Sequence, residues 1–269
     1  MKPPLLSLAH LTVLDADPLN LLECAAAAGF DAVGLRIVPP LPSDSIVAVV
    51  GDLPLQRQIK ARMRDTGVGI FDVEAVWLMP HTDVAALLPA LDLAAELGAR
   101  YLLTVGHDPD RSRLRDNFAT LCEATQARGL RAMLEFIPYA QCASLAEAHR
   151  LLVAASAVSA GLLVDALHLS RSEASPADIK GYDPGLFCYM HLCDAPMKAP
   201  AAADLRHEAR GGRLYPGEGG LPLAAFIAAF PPRTPIAIEA PCRALSPLPA
   251  EQRASLAMAA TRRLLSSLS

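Results

Sequence analysis

Four residues stand where strand-like apolar segments end. They are Glu135 in RAMLEFIP (131–138), Asp165 in GLLVDALHL (161–169), His191 in FCYMHLCDAP (187–196) and Glu239 in PIAIEAP (235–241). A single acid at a strand end is ordinarily a helix cap or half of a loop ion pair. Four such residues on consecutive strands are another matter, because closure of parallel strands into a barrel gathers their C-terminal ends around one rim. Spacings of 30, 26 and 48 residues put each one strand–helix unit after the last, with an enlarged unit before Glu239. Three carboxylates and one imidazole form a mostly hard donor set. It favours a divalent ion such as Mn²⁺ or Mg²⁺, with Co²⁺ or Zn²⁺ compatible and thiolate chemistry disfavoured.

A metal held by such a set would leave room for adjacent carbonyl and hydroxyl oxygens of a substrate, and would supply Lewis-acid stabilisation of the charge left when the intervening C–H loses its proton. Glu135 and Glu239 then serve as base and acid on opposite sides of the carbon. His168 and Arg171 follow Asp165 in the first turn beyond its strand, within reach of substrate oxygens. The alternative for His168 is to orient Asp165 or cap the loop. Arg213 is the candidate guanidinium of the long segment 197–220, in which Glu218 is a candidate anchor. Glu74, His107, Trp77 and Arg36 fall at other strand ends and complete the expected lining, and Asp194 is a candidate acceptor for an imidazole N–H. His10, His81, His149 and His207 show no partner spacing.

Strand patterns at 5–14, 30–40, 68–78, 99–108, 131–138, 161–169, 187–196 and 235–241 alternate with helical patterns at 18–29, 52–67, 83–98, 109–129, 144–155, 221–230 and 249–268. The polar stretch 171–185 is the weakest helix, and Pro89 predicts a kink in 83–98. Eight units without a break define an α/β fold, one (β/α)8 TIM barrel over residues 1–269. The phrases GFDAVGLR, GARYLLTV and GLRAMLEF repeat a glycine-then-strand junction. A nucleotide-binding open sheet would show GxGxxG after the first strand, and none is present.

Composition sets the limits of function. With 52% hydrophobic residues and mean hydropathy +0.30, the chain has material for a large core. A net charge of −4 with no basic block argues against a nucleic-acid partner. The longest uncharged run, 151–164, is too short for a membrane span. Six cysteines without a CxxC pair are expected to be reduced, and the N-terminus lacks a signal-peptide pattern, so a cytoplasmic protein with a small-molecule substrate is expected.

LEFIP with Glu135, VDALHLSR with Asp165 and His168, HLCDAP with His191, RLYPGEGGLPL with Arg213 and IEAP with Glu239 together resemble the xylose isomerase-like barrel superfamily of sugar phosphate isomerases and epimerases. The resemblance spans essentially the whole chain. It implies that the four residues bind one divalent metal, that Glu135 and Glu239 are the acid/base pair of the epimerases, and that His168 and Arg213 contact substrate. It also implies assembly as a homo-oligomer. The expected activity is that of an isomerase or epimerase acting next to the carbonyl of a small keto sugar, inosose or related compound. The alternatives are a dehydratase or lyase of the inosose or 3-dehydroshikimate type using the same site, and a non-catalytic sugar-binding barrel. Glu135 is followed by Phe136 and Ile137 rather than the histidine associated with 3-dehydroshikimate dehydratases of this fold, and CDAP replaces the Glu-rich segment of the epimerases.

Overall fold

The computed structural model describes residues 3–41 and 44–268. Eight parallel strands close into a barrel, each pairing with the next and β1 with β8. The strands are β1 (Leu6–Leu8), β2 (Ala32–Arg36), β3 (Gly69–Leu78), β4 (Tyr101–Gly106), β5 (Arg131–Glu135), β6 (Gly161–Asp165), β7 (Met190–Leu192) and β8 (Ile236–Ile238). The helices are α1 (Pro18–Ala28), α2 (Leu53–Thr66), α3 (Leu88–Glu96), α4 (Arg111–Gln126), α5 (Leu145–Ala154), α6 (Ala166–Arg171), α7 (Pro176–Ile179), α8 (Leu205–Gly211), α9 (Leu223–Ile227) and α10 (Ala250–Ser267). Among the described residues no helix is long and apolar enough to cross a membrane.

Strands buried on both faces need two cores, and the period of two divides them. Phe71, Leu103, Val105, Met133, Leu163 and Tyr189 fill the barrel interior. Leu102, Leu134, Leu162 and Val164 face outward into the larger layer packed against the helices. The helices begin where short polar side chains can cap them. Asp17 accepts from the N–H groups of Leu19 and Asn20, and Asp110 from those of Ser112 and Arg113. At the other end of α1, Gly29 takes φ +81° and donates its N–H to Ala25 and Ala26, which turns the chain into β2.

Three local expectations change. The pattern at 5–14 is only partly strand: after Leu8 the chain turns into a 3₁₀ segment, His10–Val13. There His10 Nδ1 accepts the Arg36 N–H at 3.1 Å while Nε2 lies 2.9 Å from Ala16 O, so a buried side chain holds the turn. Pro89 causes no kink because it sits in the first turn of α3, where its missing N–H would have had no intrahelical partner. Segment 197–220 is not a plain loop, since it contains α8.

Candidate metal centre

Each of the four residues is delivered by its strand. Glu135 and Asp165 are the last residues of β5 and β6, His191 lies within β7, and Glu239 directly follows β8. All four are at most 4% exposed. Asp165 divides its two oxygens. Oδ1 caps α6 by accepting from the N–H groups of Leu167 at 2.7 Å and His168 at 3.0 Å, and Oδ2 faces the site. His191 Nδ1 lies 3.5 Å from Glu135 Oε1, 3.5 Å from Glu239 Oε2 and 4.0 Å from Asp165 Oδ2. One donor atom from each residue falls within 4.8 Å of the other three.

These residues fit a divalent ion. Donors about 2.0–2.2 Å from one centre lie about 3–4.4 Å apart, which is the spread seen around His191. Neither Glu135 Oε1 nor His191 Nδ1 has a hydrogen-bond partner among the described residues, although both are buried. Buried polar atoms are rarely left so without a ligand or water.

Arg213 occupies the flank of the cluster. Its Nη1 lies 2.6 Å from Asp165 Oδ2 and its Nη2 3.0 Å from Glu239 Oε2, while Nη1 and Nε also donate to the carbonyls of Glu239 and Ala209. Burial pushes Glu135 up to about 7, with His191 opposing. Burial acts in the same direction on Glu239, but His191 and Arg213 outweigh it and hold this acid well below the usual carboxylate range. Burial alone would lower His191, yet Glu239 and Glu135 raise it well above the ordinary histidine value. Both shifts favour protons on Glu135 and His191.

A small cleft of about 50 Å³ opens onto this centre, lined by Glu135, Glu239, His168, Arg213, Arg36 and Tyr139 among others. His168 is buried, lies edge-on to Tyr139 at 6.0 Å, and is lowered by burial to about 4, so it is neutral near pH 7. Glu74 is buried behind Arg36, whose Nε donates to Glu74 Oε2 at 3.1 Å. His107 is only half-buried and packs against Trp77 at 5.3 Å, outside the lining of the cleft. The structure does not bring Arg171 to the cleft. Its Nε and Nη2 pair with both oxygens of Glu208 at 2.9 and 2.7 Å, and Nη2 also donates to Pro196 O. It ties α6 to α8.

Asp194 does not accept from an imidazole. Its carboxylate takes the N–H groups of Ala195, Gly217 and Leu221 and so folds the segment after β7. Glu218 anchors that segment through an exposed pair with Arg263. Two residues of the barrel interior were not singled out from the sequence. Asp72 is fully buried, with Tyr189 Oη 3.4 Å from its Oδ2. The signal was an acid two residues before Glu74 in an otherwise apolar strand.

Residues 22–264 match the xylose isomerase-like TIM barrel family, and the chain belongs to it. Two curated relatives are 3-dehydroshikimate dehydratases. That of Pseudomonas aeruginosa is 29% identical over 143 residues, 51% of this chain and 22% of the relative. That of Pseudomonas putida is 25% identical over 222 residues, 77% and 33% of the two chains. The chain thus spans a third or less of the length of these relatives. Among solved structures, the IOLI protein with a bound zinc atom superposes with a TM-score of 0.79 at 18% identity, covering 98% of this chain and 99% of that one.

Proposed function

We propose that the protein is a divalent-metal-dependent enzyme that moves a proton next to the carbonyl of a small polyhydroxylated keto compound, as an isomerase or epimerase. One observation carries the reading. Two carboxylates, Glu135 and Glu239, each lie 3.5 Å from the same imidazole nitrogen at the mouth of a buried cleft. Glu135, Asp165, His191 and Glu239 are the residues to hold the ion, with Mn²⁺ or Mg²⁺ best suited to three carboxylates and Co²⁺ or Zn²⁺ compatible. A bound ion supplies Lewis-acid polarisation of the substrate carbonyl. One glutamate carboxylate takes the proton from the carbon beside that carbonyl, leaving the electron pair to the carbonyl group. The other glutamate, in its acid form, returns a proton on the opposite side. Neutral His168, in the lining of the cleft, holds a substrate oxygen, while Arg213 fixes the carboxylates of Asp165 and Glu239.

The two 3-dehydroshikimate dehydratases support a second reading, in which the same proton abstraction is followed by loss of a β-hydroxyl as water. Phe136 and Ile137 supply no proton donor beside Glu135, which would leave protonation of the leaving group to another cleft residue such as His168. The six unpaired cysteines favour a reducing, cytoplasmic setting. The test is incubation of the Mn²⁺-loaded protein in D₂O with keto sugars, inososes and 3-dehydroshikimate. Deuterium uptake with the substrate's composition otherwise kept supports the isomerase, and loss of water supports the dehydratase. Absence of exchange with every compound contradicts both.

A further inference from the structure

We infer that the substrate carries a carboxylate and that Arg36 binds it. The inference rests on the cleft being the active site and adds the class of compound it admits. Arg36 ends β2, is 6% exposed and lines the same cleft as Glu135 and Glu239. Four arginines lie at or near the cleft and differ in what remains free; Arg210, partly exposed, pairs with Asp44 through Nη2. Arg213 uses Nε, Nη1 and Nη2 on protein oxygens, and Arg171 does the same. Arg36 spends only Nε, on Glu74, and among the described residues its two Nη groups have no hydrogen-bond or ion-pair partner. That leaves a guanidinium fork on the lining of the cleft free to pair with a ligand.

The surroundings hold that fork in place. The Arg36 N–H donates to His10 Nδ1, which fixes the backbone at the end of β2. Gly34, two residues earlier on the same face, leaves the space that Glu74 fills. A Cβ on Gly34 would lie 2.5 Å from Glu74 Oε1 and 3.0 Å from Asp72 Oδ1. Burial and the nearby Glu74 push Asp72 up to about 8, which lessens the negative charge beneath Arg36. Beyond the guanidinium, Ala75, Trp77, Leu103 and Ile137 give the cleft an apolar wall. Two parallel Nη donors match the two oxygens of a planar carboxylate.

Calorimetry on Mn²⁺-loaded protein would compare catechol, 3,4-dihydroxybenzamide and 3,4-dihydroxybenzoate, which share adjacent oxygens and differ in the carboxylate. The acid is expected to bind about 10- to 100-fold more tightly than the amide, the range of a charge-assisted hydrogen-bonded pair. Because Arg36→Gln alone strands Glu74, the variant is Arg36→Gln with Glu74→Gln, its folding checked by thermal melting. It should lose the acid's advantage and keep the wild-type affinity for catechol. Equal binding of acid and amide by the wild type, or an advantage that survives in the double variant, overturns the inference and leaves the metal site standing. Arg36-dependent binding of the acid by a protein that takes up no Mn²⁺ supports the inference and contradicts the metal reading. Binding of none of the three overturns both.

Discussion

Arg213 Nη1 lies 2.6 Å from Asp165 Oδ2, which places a guanidinium within the ring of acids assigned to the metal. The pair is fully buried, and Arg213 reaches Glu239 with its other Nη. In the metal-free protein this arginine offsets part of a charge cluster that would otherwise oppose folding.

Arg213→Gln is therefore expected to destabilise the metal-free protein by about 3 kcal/mol, the cost of stranding a buried charge. Added Mn²⁺ should recover part of the loss, so the metal-induced rise in Tm should be larger in the variant than in the wild type. Paired thermal melts with and without Mn²⁺ check this. Equal shifts in the two proteins would remove Arg213 from the charge balance of the site.

Metal affinity should rise with pH. Burial pushes metal-free Glu135 up to about 7, and its acidic neighbours raise His191 well above the ordinary value, so the metal-free site carries protons that the metal displaces. Raising the pH withdraws those protons and favours the bound form, by about tenfold per pH unit for each proton displaced. Mn²⁺ titrations at pH 6, 7 and 8 measure the slope, and a flat profile contradicts the assignment.

Asp72 predicts a slope of opposite kind in stability. Burial and Glu74 push it from 3.8 up to about 8. Below pH 4 both folded and unfolded chains hold the proton. Between about 4 and 8 only the folded chain does, so this residue's contribution falls as pH rises through that window and is constant above it. Asp72→Asn should lessen the fall by roughly 1 kcal/mol per pH unit. Urea midpoints of the two proteins across pH 5 to 8 report the difference.

The bidentate pair of Arg171 with Glu208 is the link between α6 and α8. Glu208→Gln weakens it and leaves the arginine charge buried, so segment 197–211 should become accessible. Limited proteolysis is expected to cut there several-fold faster in the variant, and a metal-binding affinity near that of wild type would show that the centre itself is intact.

The strand ends that carry Glu135, Asp165, His191 and Glu239 were legible because an acid or imidazole closing an apolar run breaks a period-two pattern, and closure of eight such runs leaves one place for them. Arg171 and Asp194 were misplaced for a shared reason. Each belongs to a segment that folds back on itself, and spacing along the chain does not reveal that Glu208 or the N–H groups of Gly217 and Leu221 complete their hydrogen bonds. Arg171 reads as substrate-facing until α8 is seen beside it. Asp72 was hidden because an irregularity in strand register near Gly34 turns it inward beside Phe71, and a strict alternation would have faced it outward. His10, with no partner in spacing, proves structural, since both ring nitrogens meet backbone groups.

The most direct test of the four-residue centre is metal stoichiometry, measured by equilibrium dialysis against Mn²⁺ for the wild type and for Glu135→Gln, Asp165→Asn, His191→Asn and Glu239→Gln. One ion per chain in the wild type, and a fall in affinity of about 100-fold or more in each variant that remains folded, is the predicted result. Full occupancy with Glu135→Gln and Asp165→Asn combined would contradict it.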